Sequence, residues 1–275
     1  MREITIRSLS GLLYVAIIVS SALFSNLVLI GVLFIFSALA LFEFQRLLHY
    51  KSPVPFLFFG LLAYQLYIDK PQEIMYFGLL TLCILVNILL AIMLIKKKNF
   101  VFNPYQKSGL TLFYLISSGY FILATTGFET HWMNGITLCM YFLIWINNSF
   151  AYLSGKKWGK TPLFPEVSPK KTWEGFWGGA LACILLSVVL YRFNQDFELW
   201  VYLILAVIII ISATLGDLIQ SKFKREAKVK DSGSLIPGHG GFYDRMDSVL
   251  YTAPFVNFFF NFNSLCFIKK DIKSS

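Results

Sequence analysis

Between Asp217 and Asp247 the chain mixes acids, bases and glycines at spacings that suit phosphate chemistry. Asp217 and Ser221 are four apart at the end of an apolar run, so on a helix their side chains share one face. Asp244 and Asp247 are three apart and can also point the same way. Lys224, Arg225, Lys230 and Arg245 flank these three carboxylates. Hard oxygen ligands without adjacent Cys or paired His favour Mg²⁺ over zinc, and Mg²⁺ typically keeps waters while bridging a few carboxylates to substrate phosphates. Gly238-His239-Gly240-Gly241 lets the backbone pass close to a ligand, because glycine removes side-chain obstruction and permits positive φ. Successive amides in such a turn can cradle an anion. Alone, this tetrapeptide reads as an ordinary turn and His239 as an ordinary loop imidazole. Within the cluster they fit a phosphorylated substrate held with a divalent metal.

The density of charge strengthens that reading. Residues 217–247 hold six of the 24 Lys+Arg, five of the 15 acids and one of three His, between two strongly apolar runs. Asp217 follows VYLILAVIIIISATLG, and a carboxylate so close to an apolar interior should face a wet cavity or a cation, unless it only snorkels to an interface. A second polar segment runs from Trp145-Ile-Asn147-Asn148 to Gly175. There Lys170 and Lys171 sit beside the hydroxyls of Ser168 and Thr172, with Glu174 following. Ammonium groups and hydroxyls suit phosphate oxygens. Lys156, Lys157 and Lys160 read instead as a basic loop that orients the chain, and the glycines and prolines here argue against a long regular helix.

The elements that must position these groups are apolar helices. The chain is 57% hydrophobic and 14% charged, with a mean hydropathy of +0.65, far from an average soluble domain. Runs of about 18 residues or more recur, each long enough to cross the hydrocarbon core. This predicts an all-α polytopic integral membrane protein with nine helices at roughly 8–25, 27–45, 53–68, 74–95, 108–128, 133–154, 175–193, 197–220 and 247–267. The first run lacks a small-residue cleavage pattern and is expected to be a span. With this arrangement 19 of the 24 Lys+Arg fall on one side, which the positive-inside rule makes cytoplasmic. The net charge of +9 therefore reads as topology, not nucleic-acid binding. Cys83, Cys139, Cys183 and Cys266 lie in apolar segments without CxxC spacing, as small buried residues do. No linker or repeat divides the chain, so 1–275 reads as one membrane domain, with supporting helices over 1–130 and a catalytic half over 131–275.

Ser221, Lys224, Arg225, Lys230, Asp231, Gly233, Pro237, His239, Gly240, Gly241, Asp244, Arg245 and Asp247 together resemble the signature of the phosphatidate cytidylyltransferase (CDP-diacylglycerol synthase) family. Ser168–Gly175 looks like that family's second recognisable segment. Asn148 stands where family members often carry Asp, and an amide coordinates a cation or bonds a phosphate without bringing negative charge. The resemblance implies the reaction CTP + phosphatidic acid → CDP-diacylglycerol + pyrophosphate, in or on a bacterial inner membrane with the site facing the cytoplasm. It points to Lys224, Arg225, Lys230, Asp231, His239 and Arg245 as catalytic. It points to Asn148, Ser168, Lys170, Lys171, Thr172, Glu174, Ser221, Gly240 and Gly241 as substrate-binding. Asp217, Asp244 and Asp247 would hold Mg²⁺, with a second cation suggested by the family's two-cation centre. Partners would be CTP, phosphatidic acid and membrane lipids, no nucleic acid, with a homodimer left open. Rival readings are a CTP-dependent lipid kinase, a CDP-archaeol-type synthase and, with charges gathered on one face and no inverted repeat, less readily a transporter.

Overall fold

The computed structural model describes residues 2–68, 72–127, 135–193, 196–236, 238 and 240–273, with side chains described only between positions 9 and 262. His131, Pro237 and His239 lie outside the described residues. The helices are α1 (Arg2–Phe24), α2 (Asn26–Leu47), α3 (Val54–Ile68), α4 (Glu73–Ile95), α5 (Pro104–Leu110), α6 (Ser117–Ala124), α7 (Gly135–Trp158), α8 (Trp173–Phe193), α9 (Leu199–Glu226) and α10 (Tyr243–Lys273). A π-helical segment, Thr111–Ile116, joins α5 to α6 in one rod. Its wide turn is supported by the Ser117 hydroxyl, which donates to the Leu112 carbonyl at 2.9 Å.

Six of these segments, among the described residues, are long and apolar enough to cross a membrane: Asn26–Leu47, Glu73–Ile95, Pro104–Gly127, Gly135–Trp158, Trp173–Phe193 and Leu199–Glu226. Leu9–Phe24 and Val54–Ile68 are shorter apolar helices. The chain is a polytopic helical membrane protein, with outward faces that carry exposed Leu, Ile, Val and Phe throughout.

Two boundaries differ from the sequence expectation in ways that matter. Helix α7 runs on through Gly155 to Trp158, and α9 runs on to Glu226, so Lys224 and Arg225 are helical. Between α7 and α8 the chain forms an antiparallel hairpin, β1 (Pro162–Phe164) with β2 (Ser168–Thr172), that an all-α reading did not foresee. It is short and rich in Pro and Lys, so it carries no alternating apolar signal.

The hairpin is held by local hydrogen bonds. The Thr172 hydroxyl accepts the Gly175 N–H at 3.1 Å, capping the start of α8. The Glu174 carboxylate accepts the backbone N–H groups of Lys160 (3.1 Å) and Thr161 (3.2 Å). Helices α7 and α8 then meet almost backbone to backbone. A Cβ on Gly175 would lie 2.6 Å from the Ala151 carbonyl oxygen, and one on Gly179 would lie 2.6 Å from that of Asn147. Small residues at such a contact let membrane helices approach closely.

An aromatic knot ties the N-terminal helices to the polar end of α9 and α10. The Phe44 ring lies 5.1 Å from Phe223, 5.4 Å from Tyr243 and 5.5 Å from Tyr114. Tyr114 and Tyr243 also share a hydroxyl contact at 3.1 Å. Tilted and edge-on pairs of this kind add to simple area burial. Phe44, Phe223 and Tyr243 each adjoin a polar residue of interest (Glu43, Lys224 and Asp244), so the knot sets their spacing. Gly179→Val should force α7 from α8 and destabilise the protein by about 1–3 kcal/mol, read as a lowered melting temperature in detergent. An unchanged melting temperature would contradict the close helix contact.

Candidate functional site

A cavity of about 820 Å³ opens where the ends of α7, α9 and α10 meet the hairpin. Its wall carries Asn148 from α7, Lys170, Lys171 and Thr172 from β2, Asp217 from α9, and Asp244, Arg245 and Asp247 from α10. These residues are up to 99 positions apart in sequence (148 to 247) and come together here as the sequence reading expected. Lys156 and Lys160, read as orientation-setting charges, line the same wall, as do the apolar Leu163 and Phe176. The volume lies within the usual range for small-molecule sites.

Charge in the cavity is unevenly matched. Lys171 Nζ lies 2.6 Å from Asp217 Oδ2, and the Ser221 hydroxyl donates to Asp217 Oδ1 at 3.3 Å, which realises the expected shared helix face. Asp247 is buried beside the Asp217 charge, which repels it. Its carboxylate accepts the N–H of its own neighbour, Ser248, at 2.5 Å. Asn148 lies next to it, donating to the Ser248 hydroxyl at 3.3 Å. The Arg245 guanidinium has its buried Nε without a partner among the described residues.

Asp244, expected as a third metal ligand, is engaged by the protein itself as a clasp. Its Oδ1 accepts Lys224 Nζ at 2.7 Å and Gln220 Nε2 at 2.6 Å. Its Oδ2 accepts the Gly241 N–H at 2.9 Å and the Ser232 N–H at 2.8 Å, with the Ser232 hydroxyl oxygen 2.9 Å away. With every lone-pair direction taken, this carboxylate has little to offer a cation. Burial pushes the Asp244 carboxyl upward, but the Lys224 ammonium and the hydrogen bonds from Lys224, Gly241 and Ser232 outweigh it and hold the group below the usual carboxylate range. The clasp is therefore complete above the ordinary Asp pKa of about 3.9 and weakens as pH falls through the depressed folded-state value. Among the described residues no three His, Cys, Asp or Glu side chains form a metal-binding group. Asp217 and Asp247 remain as a pair of hard ligands, which suits Mg²⁺ because that ion keeps most of its waters.

Several residues expected at the substrate lie behind the cavity wall instead. Glu174 holds the Lys160–Thr161 backbone, and Arg225 Nε donates to the Val167 carbonyl at 3.3 Å, bracing the hairpin turn. Ser168 pairs with Phe164 within the hairpin. Lys224 and Ser221 donate to Asp244 and Asp217. Lys230 and Asp231 are exposed on the turn after α9, where Asp231 lines a different cavity. Gly240 takes φ +83°, the left-handed conformation glycine permits, whereas Gly241 is needed for close approach. The part given to His239 falls outside the described residues.

One residue escaped the sequence reading. Glu43 of α2 is buried at 1% exposure and accepts the Tyr243 N–H at 2.9 Å and the Ser232 hydroxyl at 2.8 Å. The signal was present: an acid inside the apolar run of α2 is as costly as Asp217 in α9.

A polytopic helical membrane protein with a lysine- and carboxylate-lined cavity at the ends of its helices is suited to polyanions handled beside lipid. The chain belongs to the Cytidylyltransferase family, whose pattern matches residues 5–263. Among its relatives are proteins named phosphatidate cytidylyltransferase. The one from Haemophilus influenzae is 42% identical over 132 residues, covering 46% of each chain. The one from Staphylococcus haemolyticus is 38% identical over 172 residues, covering 62% of this chain and 64% of that one. The Staphylococcus aureus protein is 37% identical over the same span and the same shares. The matched stretch thus covers between about half and two thirds of these relatives' own length.

Two substitutions separate the carboxylates. Asp244→Asn places an amide's donors against Lys224 and Gln220 and should cost about 1.5–3 kcal/mol of stability. Asp247→Asn removes a charge that Asp217 repels, so stability without divalent metal should hold or rise. Thermal unfolding of both variants in detergent with EDTA checks this, and equal losses would contradict the division of roles.

Proposed function

We propose that the protein transfers the cytidylyl group of CTP to phosphatidic acid, giving CDP-diacylglycerol and pyrophosphate. The observation that carries this reading is the cavity wall, on which Lys156, Lys160, Lys170, Lys171 and Arg245 face a site that also holds the Asp217–Asp247 pair. Cations suit two phosphates, and a carboxylate pair suits a divalent ion between them. The family membership and the relatives' printed names support the same activity.

A phosphatidate oxygen is already an anionic nucleophile near neutral pH, so no strong general base is required. It attacks the α-phosphorus of CTP, the bond to the β-phosphate bridge breaks, and pyrophosphate leaves with the electron pair. The difficulty is electrostatic, because two anions must meet. Lys170, Lys171 and Arg245 neutralise and orient the phosphates, which is where phosphoryl-transfer catalysis mainly lies. Asp217 and Asp247 would hold Mg²⁺, with a second cation as the fuller form of the site. Bound there, Mg²⁺ would supply Lewis-acid neutralisation of the triphosphate. Lys171, which pairs with Asp217 here, would also serve a substrate phosphate. Asn148 beside Asp247 offers an amide oxygen or N–H to the same ligands. Leu163 and Phe176 give the lipid an apolar flank, so its acyl chains stay in the bilayer.

The same reading makes 1–275 one membrane domain of nine spans in a bacterial inner membrane, with the basic loops and the cavity facing the cytoplasm and CTP arriving from that side. The purified protein given phosphatidic acid, Mg²⁺ and CTP should release pyrophosphate, with EDTA abolishing turnover and Mg²⁺ restoring it. Asp217→Asn and Asp247→Asn should each lower kcat by about a hundredfold or more. Release of CDP in place of pyrophosphate would mean a lipid kinase, and a wild-type rate in Asp247→Asn would remove the metal assignment.

A further inference from the structure

We propose that Glu43, on a helix of the N-terminal half, is a positioning residue for this reaction. It holds the loop from Ser232 to Gly241 and the first turn of α10, and so sets where Lys224, Asp244 and Arg245 stand. The inference rests on the function proposed above.

Three observations converge on Glu43. First, proton counting assigns it the Ser232 hydroxyl. Ser232 Oγ lies 2.8 Å from Glu43 Oε2 and 2.9 Å from Asp244 Oδ2, yet carries one proton to give. Asp244 has four other donors, from Lys224, Gln220 and the N–H groups of Ser232 and Gly241. Glu43 has one, the Tyr243 N–H. The hydroxyl proton therefore serves Glu43, and Ser232 bridges the two acids.

Second, the loop is drawn onto this carboxylate. A Cβ built on Gly233 or on Gly241 would overlap the Glu43 carboxylate oxygens. Gly238 (φ +74°) and Gly240 (φ +83°) are needed for their left-handed backbone. Gly233 and Gly241 are needed for this approach.

Third, the arrangement is poor as mere packing. Glu43 Oε1 is buried with no hydrogen-bond partner among the described residues. A buried charge left partly unfilled is costly, and an apolar side chain would fill the place more cheaply. What the acid adds is direction: it meets the positive end of α10 and fixes that helix's first N–H. Arg245, two residues on, depends on that register to face the cavity.

The test compares full-length wild type, Glu43→Ala, Glu43→Gln, Gly233→Ala and the double variant Glu43→Ala/Gly233→Ala in detergent. It measures folded fraction, kcat and KM for CTP, and hydrogen exchange over 232–243 and 162–172. Glu43→Ala should lower kcat per folded enzyme by about tenfold to a hundredfold, with KM changed far less. Glu43→Gln, which keeps one acceptor, should recover part of the loss. Gly233→Ala should also lower kcat, but add little in the Glu43→Ala background, where its methyl has room. Exchange should quicken over 232–243 and not over 162–172. The inference is overturned if Glu43→Ala keeps kcat within twofold, if its loss only follows the folded fraction, or if exchange over 232–243 is unchanged. Should Glu43→Ala not fold, Glu43→Gln and Gly233→Ala decide by the same readouts. A wild type that releases no pyrophosphate refutes the proposed function, and the exchange pattern alone then decides the role of Glu43.

Discussion

The Asp244 carboxylate is the interaction on which the polar end of this protein depends. It gathers an ammonium and an amide from α9 and the backbone N–H groups of Ser232 and Gly241, while itself standing in the first turn of α10. A largely buried charge survives only when it is paired and hydrogen-bonded, and four donors meet that condition. Ser232, Gly233 and Gly241 are drawn to this carboxylate and to that of Glu43. The aromatic rings of Phe44, Phe223 and Tyr243 stand one residue away from Glu43, Lys224 and Asp244. Packing thus sets the distances that the charges then use.

The cavity beyond this clasp has a different character. There Lys171 faces Asp217, Asp247 is buried beside a like charge, and the Arg245 Nε has no partner among the described residues. These unmet demands are complementary to a polyanion accompanied by a cation. The supporting contacts are by contrast well satisfied. Glu174 and Arg225 brace the hairpin that carries Lys170 and Lys171, and Asn148 is tied to α10 through the Ser248 hydroxyl. Satisfied groups hold unsatisfied ones in place, which is how a site is kept ready for charge it has yet to receive.

Much of the site was legible because charge beside hydrocarbon is conspicuous. Asp217, Asp247, Arg245, Lys170 and Lys171 were picked from type and spacing and Asn148 from the family resemblance, and all line one cavity. Ser221 and Asp217 met as the four-residue spacing required. Glu174, Arg225 and Asp244 carry the same side-chain chemistry, yet spend it on backbone and neighbouring side chains. Spacing along a chain does not say which donors a third segment will bring. Glu43 was missed for the same reason, since its partners lie 189 and 200 positions away.

By itself the sequence determined that the chain lives among lipids in several apolar helices, and that acids and bases cluster at 217–247. Composition and hydrophobic run length settle such matters locally, because each helix satisfies its own backbone and each stranded charge demands a partner. Only the tertiary structure decided which partner each charge obtained. It set Asp244 against Lys224, Asp217 against Lys171 and Glu43 beneath the glycine loop, since those pairings follow from how close helices and rings can pack in three dimensions.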